Sequence, residues 1–316
     1  MKKLLSNIFA PLPKYTRDFI IADFNLLKYL LIGLFVTLTI SVNYIYNFED
    51  TFIDIGDLFP RFLRYILFYG FAYFGGVLIV KLSDKKIEFT KKSAFWIMSV
   101  LGIIIISFDG SYNGTYRIAR SFVSAEEYRY VGRLMTEFRN FITLFLPLLV
   151  IWFFTKQKGD SFYGLTLKNA KVRPYFLLLL LMVPLIAMAT TDASFLKTYP
   201  LFKTYGVDQY WNISKTYLAI PFEFLYSTSF LNVELFFRGF LIIGMIRIMG
   251  KDAILPMVMM YAFLHFGKPM GEAISSVFGG YLLGIFAYYS RTIWGGVIVH
   301  GGIALMMEFA AFLAKS

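Results

Sequence analysis

Apolar residues along this chain gather into nine stretches, near 26–46, 62–81, 93–108, 140–154, 175–190, 218–247, 253–266, 272–290 and 292–313, with the charged residues concentrated between them. A perpendicular membrane helix needs roughly 20 apolar residues. The stretches 93–108, 140–154 and 253–266 fall short of that, so they predict helices that are tilted, extended at their ends or sheltered by neighbours. The pattern predicts an all-α polytopic transmembrane helix bundle of about 8–9 spanning helices. No repeat, low-complexity tract or Gly/Ser linker interrupts it. Residues 1–174 read as N-terminal transmembrane helices, and 175–316 as the half that brings polar residues into the membrane. GDSFYGLTLKNAKVRP, 159–174, reads as a cytoplasmic connector.

Composition confirms the medium. With 58% hydrophobic and 20% aromatic residues and a mean hydropathy of +0.63, the chain carries more apolar surface than a soluble domain of its length buries. The net charge of +11 needs no nucleic acid to explain it, because basic loops beside spans and anionic lipid headgroups account for it. Lys2, Lys3, Lys14 and Arg17, the loop KLSDKKIEFTKK, and Lys156, Lys158, Lys168, Lys171 and Arg173 alternate with the acidic stretch NFEDTFIDIGDLFP. The positive-inside rule then puts the N-terminus in the cytoplasm. Met1 to Phe19 holds only a short apolar run broken by Pro11 and Pro13, so the first span is expected to direct insertion without a cleaved leader. Residues 109–139, with Glu126, Glu127, Arg129, Arg133 and Arg139 among aromatics, read as an amphipathic helix in the interface or as an ordinary solvated helix. The absence of cysteine excludes disulfides, thiolate metal sites and a cysteine nucleophile.

The candidate chemistry lies in the last four apolar stretches. An ionisable side chain at the bilayer centre costs about 2.5–3.5 kcal/mol on insertion scales, so it is normally kept for a partner or a site. Glu234 and Arg238 in FLNVELFFRGF are four residues apart, acid before base, which puts them on one helical face in the favourable order. An ion pair alone would account for both. Glu223 lies three turns earlier on the same stripe. His265 follows Tyr261 by one turn and precedes Gly267 and Pro269, which end the helix. His300 shares a face with Ala304 and Glu308, between glycine pairs that permit close helix contact. Glu272 begins the preceding helix, where an acid suits the helix dipole. The two histidines with one glutamate have the composition of a two-His-one-carboxylate metal set, but they lack a local His-Glu-x-x-His signature. The reading therefore assigns no metal and no cofactor.

At these residues the chain resembles the CPBP family, also called Abi: intramembrane proteases that include CAAX-processing endopeptidases and bacteriocin-processing or immunity proteins. The family pattern is a Glu-Glu-x-x-x-Arg helix, then Phe-x-x-x-His, then His-x-x-x-Asn or Asp. The matches here are Glu234-Leu-Phe-Phe-Arg238, Tyr261-x-x-x-His265 and His300-x-x-x-Ala304, over about 215–313. The departures are Val233 in place of the first glutamate and Ala304 in place of the last Asn or Asp. The resemblance implies that a glutamate and a histidine activate a water, while the second histidine and the Asn hold the oxyanion. Carried onto this chain, it makes Glu234 and His265 the water-activating pair and His300 the oxyanion donor, supported by Arg238. Glu234 takes that part only if its helix turns by about 100° relative to the family arrangement, one step on the helical wheel. Glu272 and Glu308 are the other carboxylates available to replace the missing one.

Three functions follow as expectations. The first is a CPBP-like intramembrane endopeptidase with a divergent Glu/His site, acting on a membrane protein or a lipidated peptide. The second is a pseudoprotease that binds a membrane protein partner. The third is a transporter, which the lack of inverted repeats and of paired broken helices argues against. A bacterial inner membrane is the location the resemblance implies.

Overall fold

Asn25 starts the first span: its side-chain oxygen accepts the Lys28 backbone N–H at 3.0 Å, and the helix runs through 21 residues to Asn47, whose left-handed backbone (φ 49°) ends it. At 1.5 Å per residue that length matches the roughly 30 Å hydrocarbon layer. The computed structural model describes residues 11–84, 86–168 and 170–315. Lys2 and Lys3 of the basic arm, and Lys85 and Asn169 of the basic loops, lie outside the described residues.

The helices are α1 (Pro11–Asp23), α2 (Leu26–Tyr46), α3 (Leu58–Ser83), α4 (Ser93–Ser111), α5 (Thr115–Phe122), α6 (Tyr128–Thr155), α7 (Arg173–Ala189), α8 (Lys215–Glu234), α9 (Ile254–Phe263), α10 (Met270–Ser290) and α11 (Trp294–Lys315). The protein is a helical, multi-pass membrane bundle. Among the described residues seven helical stretches are long and apolar enough to cross a membrane, with α7 as a further, shorter apolar helix. One of the seven runs from Lys215 to Phe263, and within it the chain turns at 245–253, so that α9 packs back against the segment that follows α8.

Three details refine the expected elements. The stretch 140–154 gains its length at its N-terminal end, because α6 begins at Tyr128 and continues through a π-wound turn at Phe141–Phe145. The region 109–139 forms the two helices α5 and the start of α6, packed against each other, and Tyr130 donates to the Leu218 carbonyl on α8 at 2.7 Å. The stretch 253–266 yields only the ten helical residues of α9, all of them buried. A helix apolar all round is stable only when surrounded, and α9 is enclosed by α3, α10 and the end of the α8 segment.

One core joins residues from both halves of the chain, including Tyr73 and Phe95 with Phe236, Phe240, Met257 and Ile285. Leu67, Phe71, Phe154 and Leu180, each more than half exposed, lie on the outside where lipid would meet them. α1 is pinned to the bundle by charge. Buried Asp23 accepts from Lys28 at 2.7 Å, Lys251 at 2.6 Å and the Tyr29 hydroxyl at 3.0 Å, and Tyr29 in turn meets the Tyr281 hydroxyl at 2.6 Å.

Candidate active site

The winding of the chain changes at Glu234. α8 ends there and the next ten residues, Leu235–Gly244, form a π-helix in which hydrogen bonds close one residue later than in an α-helix. Such segments are rare and often occur at functional sites. Each π turn takes in an extra residue, which offsets the side chains after Glu234 from the positions an unbroken α-helix would give them.

Glu234 and Arg238 have no exposed surface, and Arg238 Nη1 donates to Glu234 Oε1 at 2.8 Å. The expected pair forms, and the same Oε1 also meets His300 Nδ1 at 3.1 Å. Because the partner is a carboxylate, that nitrogen carries the hydrogen and donates it, leaving the Nε2 lone pair free. The Arg238 guanidinium stacks over the Tyr261 ring at 4.2 Å. His265, just past the end of α9, uses Nδ1 to donate to the Tyr261 carbonyl at 2.9 Å, so its Nε2 is also an acceptor. The two imidazoles lie 6.3 Å apart between centroids and are inclined by 29°. The Tyr261 hydroxyl is 3.4 Å from both nitrogens of His300. That spacing is too long and too even for one directed bond.

Two glycines make this approach feasible. A Cβ on Gly296 would stand 1.9 Å from Glu234 Oε2, and one on Gly280 would stand 2.8 Å from Tyr261 Cδ1. Glu234 thus occupies the space that a side chain at 296 would fill. The network is also incomplete: Glu234 Oε2 and Arg238 Nε and Nη2 are buried without a hydrogen-bond partner.

The structure therefore brings together Glu234, Arg238, Tyr261, His265 and His300. It engages the two other candidate carboxylates with one segment elsewhere. Glu308 accepts the backbone N–H groups of Leu201 at 2.7 Å and Phe202 at 3.2 Å, and Glu272 accepts from the Tyr199 hydroxyl at 2.9 Å. Glu223 is half-buried, with Oε2 unpartnered. Val233 packs against the main core, and Ala304 is buried beside Phe222 and Tyr226. Among the described residues no group of three or more His, Asp or Glu side chains is arranged to hold a metal ion. Nothing in the sequence marks the Tyr261 ring as a seat for Arg238, and Gly296 reads there only as a residue that permits close helix contact. The Gly-Gly pair four residues before His300 was the available signal.

Residues 219–306 match the family model described as type II CAAX prenyl endopeptidase Rce1-like. No curated protein and no solved structure matches the chain. The matched stretch contains every residue of the buried network, and the match supports the CPBP/CAAX protease family.

Proposed function

We propose that the protein is a CAAX-type intramembrane endopeptidase in which His300, oriented by Glu234, is the general base. The observation that carries this reading is the sharing of Glu234 Oε1 between Arg238 and His300. A carboxylate held at 2.8 Å by a guanidinium and shut off from solvent is poorly placed to take a proton from water. It is well placed to hold an imidazole in one tautomer and to stabilise the imidazolium that forms. This reading moves the base from Glu234 to His300 and the oxyanion contact from His300 to Tyr261.

In the proposed reaction a water attacks the peptide carbonyl carbon as its proton passes to His300 Nε2. The carbonyl becomes an oxyanion, and its collapse breaks the C–N bond as the imidazolium returns the proton to the leaving amine. The Tyr261 hydroxyl, which lies beside His300 with no directed bond to it, is a neutral donor for the oxyanion. His265, whose ring lies 6.3 Å from that of His300, keeps an acceptor nitrogen with which to help hold the water. The substrate class is a membrane protein or a lipidated peptide, and the setting a bacterial inner membrane with the N-terminus in the cytoplasm.

The second reading, a pseudoprotease that binds a membrane protein, is favoured by Val233 and Ala304, which place apolar side chains where the family pattern has polar ones. One experiment separates the two. The detergent-purified wild type, His300→Gln and Glu234→Gln are incubated with a library of membrane and lipidated peptides, and new termini are read by mass spectrometry. Cleavage by wild type that falls at least about a hundredfold in both variants is the expected result. A wild type that cuts nothing its variants do not cut leaves the binding function in its place.

A further inference from the structure

A groove of about 370 Å³ lies between α2 and α3, on the side of α9 opposite the Tyr261–Gly280 contact, and has no part in the network above. Its size falls within the range of about 300–1,000 Å³ common for small-molecule sites. Leu38, Leu67, Phe71 and Phe52 form its walls, each more than half exposed. Leu38 and Phe71 lie well inside membrane-spanning helices, so the medium that reaches them is hydrocarbon.

Arg64 lies at one end of this apolar groove. Its Nε donates to the Ile53 carbonyl at 3.2 Å and its Nη2 to the Ile55 carbonyl, which fixes the guanidinium in place but leaves its charge unbalanced. Neighbouring Arg61 pairs with Asp54 at 3.4 Å, and Glu49 is turned toward the Tyr65 hydroxyl at 3.0 Å. Arg64 forms no ion pair among the described residues. An apolar groove that opens to hydrocarbon and ends at a fixed, unneutralised guanidinium matches one kind of molecule: an alkyl chain carrying an anionic head.

We propose that the groove is a phospholipid seat, with one acyl chain lying between α2 and α3 and the phosphate held by Arg64. The seat is connected to the turn that bears His265. Phe263 and Phe266, which flank that histidine, form the groove floor. Asn43 on α2 donates to the Phe266 carbonyl at 3.0 Å and accepts the Glu49 backbone N–H at 3.0 Å. A chain in the groove therefore braces the His265 turn from the lipid side, whether or not that histidine takes part in hydrolysis.

The test uses the full chain, purified and delipidated in detergent, with binding of dioleoyl-phosphatidylglycerol and of farnesol followed by native mass spectrometry. Wild type is expected to hold one phosphatidylglycerol. Val42→Trp, which fills the groove, should abolish that binding, and Arg64→Gln should weaken it by about tenfold or more, as expected for loss of a charged hydrogen bond. Leu34→Trp, on an exposed part of α2 outside the groove, should bind as wild type does. Arg64→Lys should retain more affinity than Arg64→Gln. If Arg64→Gln does not fold, Val42→Trp against Leu34→Trp decides the matter alone. Equal binding by wild type and Val42→Trp overturns the proposal. So does tighter, Arg64-independent binding of farnesol, which would make the groove a seat for an isoprenoid chain.

Discussion

Two buried charge networks of the bundle, around Asp23 and around Glu234, differ in how far their polar atoms are satisfied. Around Asp23 both carboxylate oxygens have partners: two lysines meet one, a tyrosine hydroxyl meets the other, and that hydroxyl continues to Tyr281. Around Glu234 one oxygen serves both Arg238 and His300 while the other has none, and two guanidinium nitrogens are also unpaired. Leaving a buried donor or acceptor unsatisfied costs about 1–3 kcal/mol, and more when it is charged. A network that only ties helices together has no reason to bear that cost. A network that must meet an incoming polar group has one, and the unsatisfied atoms around Glu234 are consistent with the function proposed for that cluster.

The largest expected effect tests this contrast directly. Glu234→Gln should reduce cleavage by at least about a hundredfold, because the amide no longer fixes the His300 tautomer. Asp23→Asn should lower thermal stability while cleavage by the remaining folded protein stays within about threefold of wild type, since α1 is pinned to the bundle away from the network. Equal losses of activity per folded molecule in the two variants would end the distinction.

Next comes the space around Glu234. Gly296→Ala puts a methyl where Oε2 now lies, so either the carboxylate or α11 must move, at a cost of about 1–3 kcal/mol or more. Gly279→Ala meets nothing within 4 Å and is the matched control. Thermal unfolding of both, with cleavage measured in parallel, should show the penalty at 296 and none at 279. A Gly296→Ala protein with wild-type stability and cleavage would mean that this close contact is dispensable.

The smallest effect lies outside the membrane spans, at Glu49. Burial pushes its carboxyl up to about 7, against a partial offset from the Tyr65 hydroxyl. A folded-state value above the unfolded one means that the folded protein binds more protons between the two. Stability is then greatest below about 4.5 and falls as pH rises through about 7. Glu49→Gln, which stays neutral, should unfold a few degrees above wild type near pH 8 and level with it near pH 4, by differential scanning fluorimetry. A pH-independent difference would assign the effect to packing.

The clearest parts of the sequence are those where one physical cost is large. Charged and imidazole side chains are expensive in hydrocarbon, so Glu234, Arg238, His265 and His300 stand out against their apolar neighbours, and the structure brings all four together. Other features depend on contacts between distant parts of the chain. The stretch 253–266 looks like a short span until its neighbours enclose ten of its residues. Glu308 resembles a spare intramembrane acid, yet its carboxylate binds backbone groups of Leu201 and Phe202, more than a hundred residues earlier in the chain. No local pattern announces such a partner.

By itself the sequence determined that this protein is a helical membrane bundle, because apolar stretches of spanning length have only one economical way to satisfy their backbone in lipid. It also determined which helices bring ionisable side chains into the apolar bundle. The tertiary structure alone decided what Glu234 is tied to. That depends on π winding just past it, on Gly296 giving way to its carboxylate, and on α11 presenting His300 at 3.1 Å. Helix identity follows from the local balance of burial and backbone hydrogen bonding, whereas the role of a side chain is set by which distant atoms stand within about 3 Å of it.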